Sequence, residues 1–495
     1  MCDPSQHTVC ANNSETSSRD GGYAYRHWML PRSAHSQSDD DSHNDYGHFP
    51  DRFSAACWYF GKALSDGMAA ANPGADPVPI GLIATSVGGT TIQEWLPPTA
   101  TGNDTCTENN YGWVEQGEQP NAATCGNATL ANVWSCPSGL CSTLWHSMIA
   151  PFVNMTINGA IWYQGEQNIL YGRGSATSGY QCQLAALVRS WRESFSATRG
   201  TTAPDFPFGV VTLAGGASEG AYLLSPYQHV PKDTWTSCQT AGGHSTFCQE
   251  VVKDWTAGIR AAQTGGYGFT PNPALPNVFL GQNFDQGEPC NCDTNALAPG
   301  GCWATNACWG TGPFSRNLSW NYERSNIHPR VKHIVGERLA RALLGMRVGA
   351  PQPTPKLAGC RLAGVTLTLM FDTTLMGAES ITLQPPLWAP TFIPLEFQVA
   401  PTNVSSTGWV YAASLVVVNA TAVSATLPPG VGTPTAVRYA WGDYSCCPGM
   451  QESTFFCPPT SCPIVTSLST EPAVPFWAAI VDGKCECDAP WDCGA

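Results

Sequence analysis

The sequence predicts an α/β domain followed by a smaller β-rich domain. Short apolar runs alternate with segments whose apolar residues recur every three to four positions, a pattern typical of parallel strands covered by helices. The runs at 79–84, 157–163 and 208–214 contain consecutive apolar residues, which indicates strands buried on both faces. We therefore expect a three-layer α/β/α domain with a parallel sheet, and then a sandwich-like β domain.

Three amphipathic segments supply the predicted helices, and each places its apolar residues on one helical face. The three sets are Phe53, Cys57, Phe60 and Leu64; Leu184, Leu187, Val188, Trp191 and Phe195; and Val335, Leu339, Leu343 and Met346. The first helix precedes the run at 79–84, the second follows the run at 157–163, and the third closes the α/β region.

A change in composition near residue 350 marks the predicted domain boundary. Residues 349–355 read Gly-Ala-Pro-Gln-Pro-Thr-Pro, a stiff linker composition. The residues that follow alternate between polar and apolar at 365–369 and are rich in β-branched and aromatic types at 409–418 and 435–441. The predicted domains are residues 1–350 and 351–495.

Composition excludes several classes of partner. The chain has 495 residues, of which 43% are hydrophobic and 12% charged, with a net charge of -14. A chain of this charge repels nucleic acid and anionic membrane surfaces. No apolar run approaches the roughly 20 residues needed to span a bilayer, so membrane insertion is not expected. The sequence does not determine the oligomeric state.

The 22 cysteines and seven glycosylation sequons predict an extracellular or lysosomal protein with disulfide bonds. The sequons begin at Asn12, Asn103, Asn127, Asn154, Asn317, Asn403 and Asn419. Cysteines at 290, 292, 446, 447, 485 and 487 lack zinc-site spacing, so disulfides are favoured and no metal is expected. The first residues do not resemble a signal peptide, and we expect the true N-terminal part to be missing.

Polar residues at the ends of predicted strands are the candidate site residues, because active sites of open parallel sheets gather there. Gly88 and Gly89 follow the run at 79–84 and could expose backbone N–H groups to a ligand. Gln164 and Glu166 follow the run at 157–163, and His328 precedes the last helix. Each has a simpler interpretation as well, namely a tight turn, helix caps and an inert loop histidine.

Together these segments resemble the sialate O-acetylesterases, which carry similar blocks reading P-I-G-L-I-A-S-x-x-G-G-T, W-Y-Q-G-E-x-N and I-H-P. The likeness extends through residues 144–151, 154–156, 206–209, 438–441 and 475–476. The resemblance implies an SGNH-type α/β/α domain that removes O-linked acetyl groups from sugars, typically from sialic acid. It implies Ser/His acyl transfer without a cofactor.

Transferred by position, the resemblance makes His328 the general base, Gly88 or Gly89 an oxyanion donor, and Gln164 and Glu166 polar groups of the site. The family's nucleophilic serine lies in an early block reading G-Q-S-N-M, which is not found here. The serines at 5, 14, 17 and 18 do not follow an apolar strand. We therefore expect the chain to lack its first strand and its nucleophile, and to be poorly stable as given.

The acid that orients His328 is open. Many SGNH enzymes place Asp three residues before this histidine, but Ser325 occupies that position here and Asn326 follows it. Glu166 or a backbone carbonyl could hold the imidazole, or the site could work as a dyad.

Two rival functions remain at this stage. In one, Ser86 is the nucleophile of an α/β-hydrolase, because Ala84-Thr85-Ser86-Val87-Gly88 approximates the G-x-S-x-G elbow. That fold also needs an upstream oxyanion segment, and only Gly21 and Gly22 form a glycine pair upstream. In the other, the chain is a non-catalytic carbohydrate-binding protein whose 18 tryptophans supply stacking surfaces.

Overall fold

The computed structural model describes twelve parts of the chain. They are residues 53–101, 142–166, 168, 175–197, 201–214, 255–286, 331–350, 353–384, 393–399, 409–441, 446 and 462–487.

The first half of the chain alternates helices with three short strands. In order, the elements are α1 (Ala55–Ala71), α2 (Ile92–Trp95), α3 (Pro98–Thr101), a π-helical turn (Trp145–Ile149), a 3-10 turn (Ala150–Phe152), β1 (Ala160–Trp162), α4 (Ser175–Ala197), β2 (Phe208–Val211), α5 (Trp255–Gln263), β3 (Val278–Gly281), a 3-10 turn (Phe284–Gln286) and α6 (Lys332–Arg347). None of these helices has the length and apolarity of a bilayer-spanning segment.

The three strands form a parallel sheet in the order β1-β2-β3, with helices on both faces. Val211 and Phe279 pack in one cluster with residues of α1 and α6, whereas Val210 and Leu280 pack in another with residues of α4 and α5. A Cβ at Gly209 would lie 2.4 Å from the Phe279 ring, so glycine on the central strand makes room for that ring. The predicted parallel sheet with two helical layers is therefore present.

The three helices predicted from periodicity are confirmed as α1, α4 and α6. Ser54 caps α1 by accepting a hydrogen bond from the backbone N–H of Cys57 at 3.3 Å. Helices α1 and α6 approach very closely, because a Cβ at Gly336 would lie 2.5 Å from backbone atoms of Tyr59 and Phe60. Hence α1 is held against the sheet by backbone-to-backbone packing with α6.

The prediction of a buried strand at 79–84 is wrong. The structure shows no strand there, and the side chain of Ile83 is 36% exposed. A strand needs a neighbour for its backbone hydrogen bonds, and among the described residues no strand pairs with this segment. Its apolar residues instead border a cavity, although Leu82 packs on Gly61 of α1.

The second half is built from antiparallel strands. These are β4 (Leu357–Ala363), β5 (Thr366–Phe371), β6 (Ile381–Leu383), β7 (Leu395–Gln398), β8 (Trp409–Tyr411), β9 (Ser414–Asn419), β10 (Ala422–Thr426), β11 (Ala436–Tyr439), β12 (Ile464–Thr466), β13 (Phe476–Ala479) and β14 (Lys484–Glu486), with a short helix, α7 (Thr373–Met376), after β5. The sheet orders are β14-β4-β5-β10-β9, β13-β11-β7-β8 and β12-β6.

The two larger sheets of this half share one hydrophobic core, as expected for a sandwich-like domain. Leu369 and Val423 from one sheet join Phe397 and Val437 from the other in a single buried cluster. Disulfides join Cys360 to Cys485, linking β4 and β14, and Cys446 to Cys462. Cys487 is disulfide-bonded as well. The described residues contain no cluster of three or more His, Cys, Asp or Glu side chains that could hold a metal ion.

A buried ion cluster joins the two halves of the chain. Arg338 on α6 donates to both carboxylate oxygens of Asp285, at 2.6 and 2.8 Å, and its Nε lies 3.7 Å from Glu471. Arg341 reaches the same Glu471 at 2.8 Å. Burial disfavours the charged form of Arg338. The negative charges of Asp285 and Glu471 favour that form more strongly, so the pKa of Arg338 is raised. The β-rich half is thereby linked, through α6, to the turn that follows β3.

Candidate active site

The glycine turn at residues 87–90 is stabilised by a hydrogen bond between its first and last residues. Thr90 donates its hydroxyl to the carbonyl of Val87 at 2.8 Å, and Gly89 has φ of +69°, a conformation that favours glycine. A Cβ at Gly88 would meet no described atom within 4 Å. The turn thus exposes its backbone at Gly88 and Gly89, as the sequence suggested for a ligand-facing loop.

The start of α2 follows this turn directly and is capped from two directions. Glu94 accepts a hydrogen bond from the backbone N–H of Thr91 at 3.1 Å, one arm of a capping box. Asn168 accepts another from the N–H of Ile92 at 3.0 Å. The turn is therefore anchored to the segment that follows β1.

Gln164 makes the principal connection between that segment and the glycine turn. Its amide nitrogen donates to the carbonyl of Thr90 at 2.9 Å and to Asn168 Oδ1 at 2.7 Å. Its amide oxygen lies 3.1 Å from the Tyr180 hydroxyl. The structure therefore brings Gln164 and the glycine turn together, but both amide hydrogens of Gln164 already have partners.

Gln263 of α5 links the ends of β1 and β2. Its Nε2 donates to the carbonyl of Gln164 at 2.8 Å, and its Oε1 accepts from the N–H of Leu213 at 3.0 Å. A Cβ at Gly165 would lie 3.0 Å from Gln263 Nε2, so a side chain there would crowd this link. The glycine in this block permits the close contact between the strand ends.

Tyr163 joins the ends of β1 and β3 to the start of α6. Its hydroxyl accepts hydrogen bonds from Asn283 at 2.6 Å and from Lys332 at 3.2 Å. The Lys332 ammonium also lies 4.7 Å from the centre of the Tyr163 ring, within cation–π range. The first residue of α6 is thus tied to the carboxyl end of the sheet.

Glu166 places a negative charge in this neighbourhood. Burial, and after it the charge of Glu166, raises the pKa of Tyr163 well above its ordinary value, while the hydrogen bond from Asn283 opposes the rise. Burial and Glu166 also raise the pKa of Tyr180. Both phenols therefore stay protonated at neutral pH, and Glu166 lies close enough to influence each of them.

Of the predicted residues, Gly88, Gly89, Gln164 and Glu166 lie at the carboxyl end of the sheet. His328 lies outside the described residues, as do Ser325 and Asn326. Ser86, the rival nucleophile, is exposed and no strand precedes it in the described part of the chain, so the strand-turn-helix context of an elbow is missing.

Several residues of this region were missed by sequence reasoning. Asn168 occupies the last position of the block that contains Gln164, and their separation of one helical turn was a signal that the two side chains could meet. His146 lies in the π-helical turn, and its backbone N–H donates to the carbonyl of Ser142 at 3.0 Å. Ser142 in turn donates its own N–H to the carbonyl of Gln93 at 3.0 Å. Burial lowers the pKa of His146, so its imidazole is neutral at pH 7.

Curated proteins similar to this chain are sialate O-acetylesterases. Those of Pongo abelii and Homo sapiens are each 28% identical over 447 residues, covering 88% of this chain and 62% of the relative. That of Mus musculus is 26% identical over 449 residues, covering 86% and 64%. The chain thus spans less than two thirds of the length of these relatives.

No family model matches the chain. Among solved structures, it is similar to a carbohydrate acetylesterase from Xanthomonas citri, with 20% identity, a TM-score of 0.49, and coverage of 86% of this chain and 65% of the other. The similarity to the curated sialate O-acetylesterases extends over most of the chain, in agreement with the resemblance carried by its sequence blocks.

Proposed function

We propose that this chain is the larger part of a carboxylester hydrolase that removes O-acetyl groups from sialic acid or related acetylated carbohydrates. The observation that carries the proposal is the hydrogen bond from Gln164 to the carbonyl of Thr90. It joins the two sequence blocks that the family shares, which are 74 residues apart, into one rim at the carboxyl end of a parallel sheet. The curated relatives are named for this activity.

The turn at Gly88 and Gly89 is suited to stabilise an oxyanion. Its glycines leave the backbone open to a ligand, and backbone N–H groups that are already ordered lose little freedom when the reaction occurs. Removing one such donor typically costs about 100-fold to 1000-fold in kcat. Gln164, whose amide hydrogens are engaged, acts by holding the turn in place; contact with the oxyanion falls to the turn's own backbone.

His328 is the proposed general base, and the anchoring of α6 supports this assignment. Lys332, at the start of α6, is bound to Tyr163 at the rim, and His328 precedes it by four residues. Four residues of extended chain span at most about 14 Å, a length that is compatible with an imidazole acting at this rim. Glu166 supplies the negative charge that would orient and stabilise a protonated imidazole.

In the proposed reaction, His328 removes the proton of a serine hydroxyl, and the serine oxygen attacks the acetyl carbonyl. The carbonyl oxygen becomes negative and is held by the glycine turn; the sugar alcohol then leaves with the proton from His328. Water, activated by the same histidine, releases acetate from the acetyl-serine. The serine belongs to the upstream block that the family resemblance implies.

The test is an assay of acetate release with that upstream sequence restored. Substrates are 9-O-acetylated sialic acid and acetylated plant-type glycans, and the variants are His328→Ala and Gly88→Ala. We expect His328→Ala to reduce turnover by a factor of about 1000 or more. Esterase turnover that survives His328→Ala, or that depends on Ser86, would reject this assignment. Sugar binding without acetate release would favour the carbohydrate-binding alternative.

Secretion or lysosomal residence is also proposed. It is supported by the disulfides Cys360–Cys485 and Cys446–Cys462, since such bonds persist in oxidising compartments. Asn154 and Asn419 are both exposed and carry acceptor sequons. Glycan removal from protein made in a secretory host should reduce its mass, and Asn419→Gln should remove one glycan.

A further inference from the structure

Three buried tryptophans pack against one another next to the glycine turn. The Trp162 ring meets the rings of Trp95 and Trp191 edge-on, with 5.8 Å between ring centres in each pair. Trp95 belongs to α2, Trp162 to β1 and Trp191 to α4. Aromatic rings favour such edge-to-face pairs, so the three side chains form a well-defined support that joins the strand to both helices.

Each of the three indole N–H groups donates a hydrogen bond within the protein. Trp95 donates to the hydroxyl of Thr90 at 3.1 Å, and Trp191 donates to the carbonyl of Trp95 at 3.1 Å. Trp162 donates to the hydroxyl of Tyr180 at 3.1 Å. Tyr180 is therefore the residue through which the aromatic cluster reaches the polar side chains that follow β1.

The Tyr180 hydroxyl donates to Gln164. It lies 2.9 Å from the backbone carbonyl of Gln164 and 3.1 Å from the oxygen of its side-chain amide. Because the hydroxyl accepts from Trp162, its single proton points towards these two oxygens. Burial and the charge of Glu166 raise the pKa of Tyr180, so this proton is retained at neutral pH.

This donor favours one orientation of the Gln164 side-chain amide. The amide oxygen accepts from Tyr180, and the amide nitrogen donates to the Thr90 carbonyl at 2.9 Å and to Asn168 Oδ1 at 2.7 Å. Asn168 Oδ1 also accepts from the backbone N–H of Ile92 at 3.0 Å. If the amide were turned over, its oxygen would face two acceptors, so the Tyr180 proton helps to keep the nitrogen directed at Thr90.

Thr90 is consequently held at both of its polar groups. Its carbonyl accepts from Gln164, while its hydroxyl accepts from Trp95 and donates to the carbonyl of Val87 at 2.8 Å. The two residues between Val87 and Thr90 are glycines, which have no side chain to restrict backbone rotation. The directions of their N–H groups therefore depend on how firmly Thr90 is fixed.

We propose that Tyr180 is a positioning residue of the esterase reaction, which acts through Gln164 to hold the N–H groups of the glycine turn in the direction that an oxyanion requires. The inference rests on the proposed function. Tyr180 is fully buried and acts without touching the substrate. Donors that are ordered before the reaction stabilise the oxyanion most, and a displacement of about 1 Å can cost about 100-fold in rate.

The experiment compares two variants that each remove one buried hydroxyl from α4, in protein with the upstream sequence restored. Tyr180→Phe breaks the link to Gln164. Ser190→Ala is the matched control, because Ser190 is 6% exposed and donates to the Leu187 carbonyl within the helix. We expect Tyr180→Phe to lower kcat for acetate release by about 10-fold to 100-fold with KM within about twofold of the parent, and Ser190→Ala to leave both within about twofold.

Two further measurements test the path through Gln164. In a Gln164→Met background, where the amide is already missing, Tyr180→Phe should lower kcat by no more than about twofold. Hydrogen–deuterium exchange reports on the turn without activity, since the N–H of Ile92 is bonded to Asn168, which also receives the Gln164 amide. That N–H should exchange about tenfold faster in Tyr180→Phe and at the parent rate in Ser190→Ala.

The outcomes separate this inference from the proposed function. If the parent releases acetate and Tyr180→Phe matches it within about twofold, the positioning role is overturned and the function stands. Equal losses in Tyr180→Phe and Ser190→Ala, or fully additive losses of Tyr180→Phe and Gln164→Met, also overturn it, because general destabilisation of α4 would then explain them. If the parent itself releases no acetate, the proposed function is rejected and the positioning role with it.

Discussion

The ion pair between Arg338 and Asp285 can be compared with a second pair of the same length at the surface. The closest nitrogen–oxygen distance is 2.6 Å both for Arg338 with Asp285 and for Lys62 with Asp66. Their surroundings differ, because the buried pair is 3% and 1% exposed and the surface pair is 60% and 65% exposed. Asp285→Asn and Asp66→Asn therefore make the same chemical change in two dielectric environments.

Asp285→Asn leaves the buried positive charge of Arg338 with less negative charge to balance it. Asp285 engages both terminal nitrogens of Arg338, and Glu471, at 3.7 Å from Nε, is left to balance a guanidinium that Arg341 also competes for. Removing one partner of a buried pair typically costs about 3–5 kcal/mol. Because Glu471 remains, we expect Asp285→Asn to lower the free energy of unfolding by about 3 kcal/mol, at the lower end of that range.

The assay is urea denaturation followed by tryptophan fluorescence and by circular dichroism. Asp285→Asn should lower the urea midpoint clearly, and Asp66→Asn should leave it within error of the parent, because solvent and salt screen an exposed pair. Equal midpoint shifts for the two variants would refute the reasoning that burial determines the contribution of this pair.

Three further predictions concern residues of the α/β half. Tyr180→Phe removes the hydroxyl that receives the Trp162 indole at 3.1 Å and should cost about 1–3 kcal/mol in urea denaturation. Gly89→Ala should destabilise the protein by about 1 kcal/mol because φ is +69°, whereas Gly88→Ala should not, by the same assay. Burial raises the pKa of Cys57 from 9.0 to about 12, so iodoacetamide at pH 8 should label it only after urea unfolding, as measured by peptide mass spectrometry.

Each of these has a contradicting result. If Tyr180→Phe leaves the stability unchanged, water must replace the hydroxyl as the hydrogen-bond partner of Trp162 and Gln164. Equal effects of the two glycine variants would argue against backbone strain at Gly89. For Cys57, the neutral thiol favours folding below its unfolded pKa, and that contribution should be lost as pH rises from about 9 toward 12. Rapid labelling of the native protein at pH 8 would exclude a buried thiol.

Periodicity was sufficient to predict the elements whose apolar residues face a formed core. Helices α4 and α6 bury Leu187, Trp191 and Leu339, the residues that share the predicted faces. Strand β3 was missed because its apolar run is only three residues long and follows Pro276. The run at 79–84 was misjudged for the opposite reason: its composition suits a strand, but strand formation also requires a neighbouring strand, which a local pattern does not reveal.

For Gln164 and Glu166, position after a strand was the useful signal, because both follow β1. Gly88 and Gly89 lie at the same end of the sheet, but the apolar run before them forms no strand. Position after a strand did not predict the contact of Gln164 with Thr90, since partners 74 residues apart are brought together by tertiary packing. Sequence spacing also could not predict that both amide hydrogens of Gln164 are hydrogen-bonded within the protein.

The absence of a side chain at Gly336 sets how far α1 stands from α6. With atoms of Tyr59 and Phe60 2.5 Å from the position that a Cβ would take, even alanine would force the two helices apart. Because Phe60 also borders a cavity of about 490 Å³ beside β1, such a displacement would widen that cavity and admit water. The hydrogen atom that serves as the side chain of Gly336 thereby sets the width of this internal space.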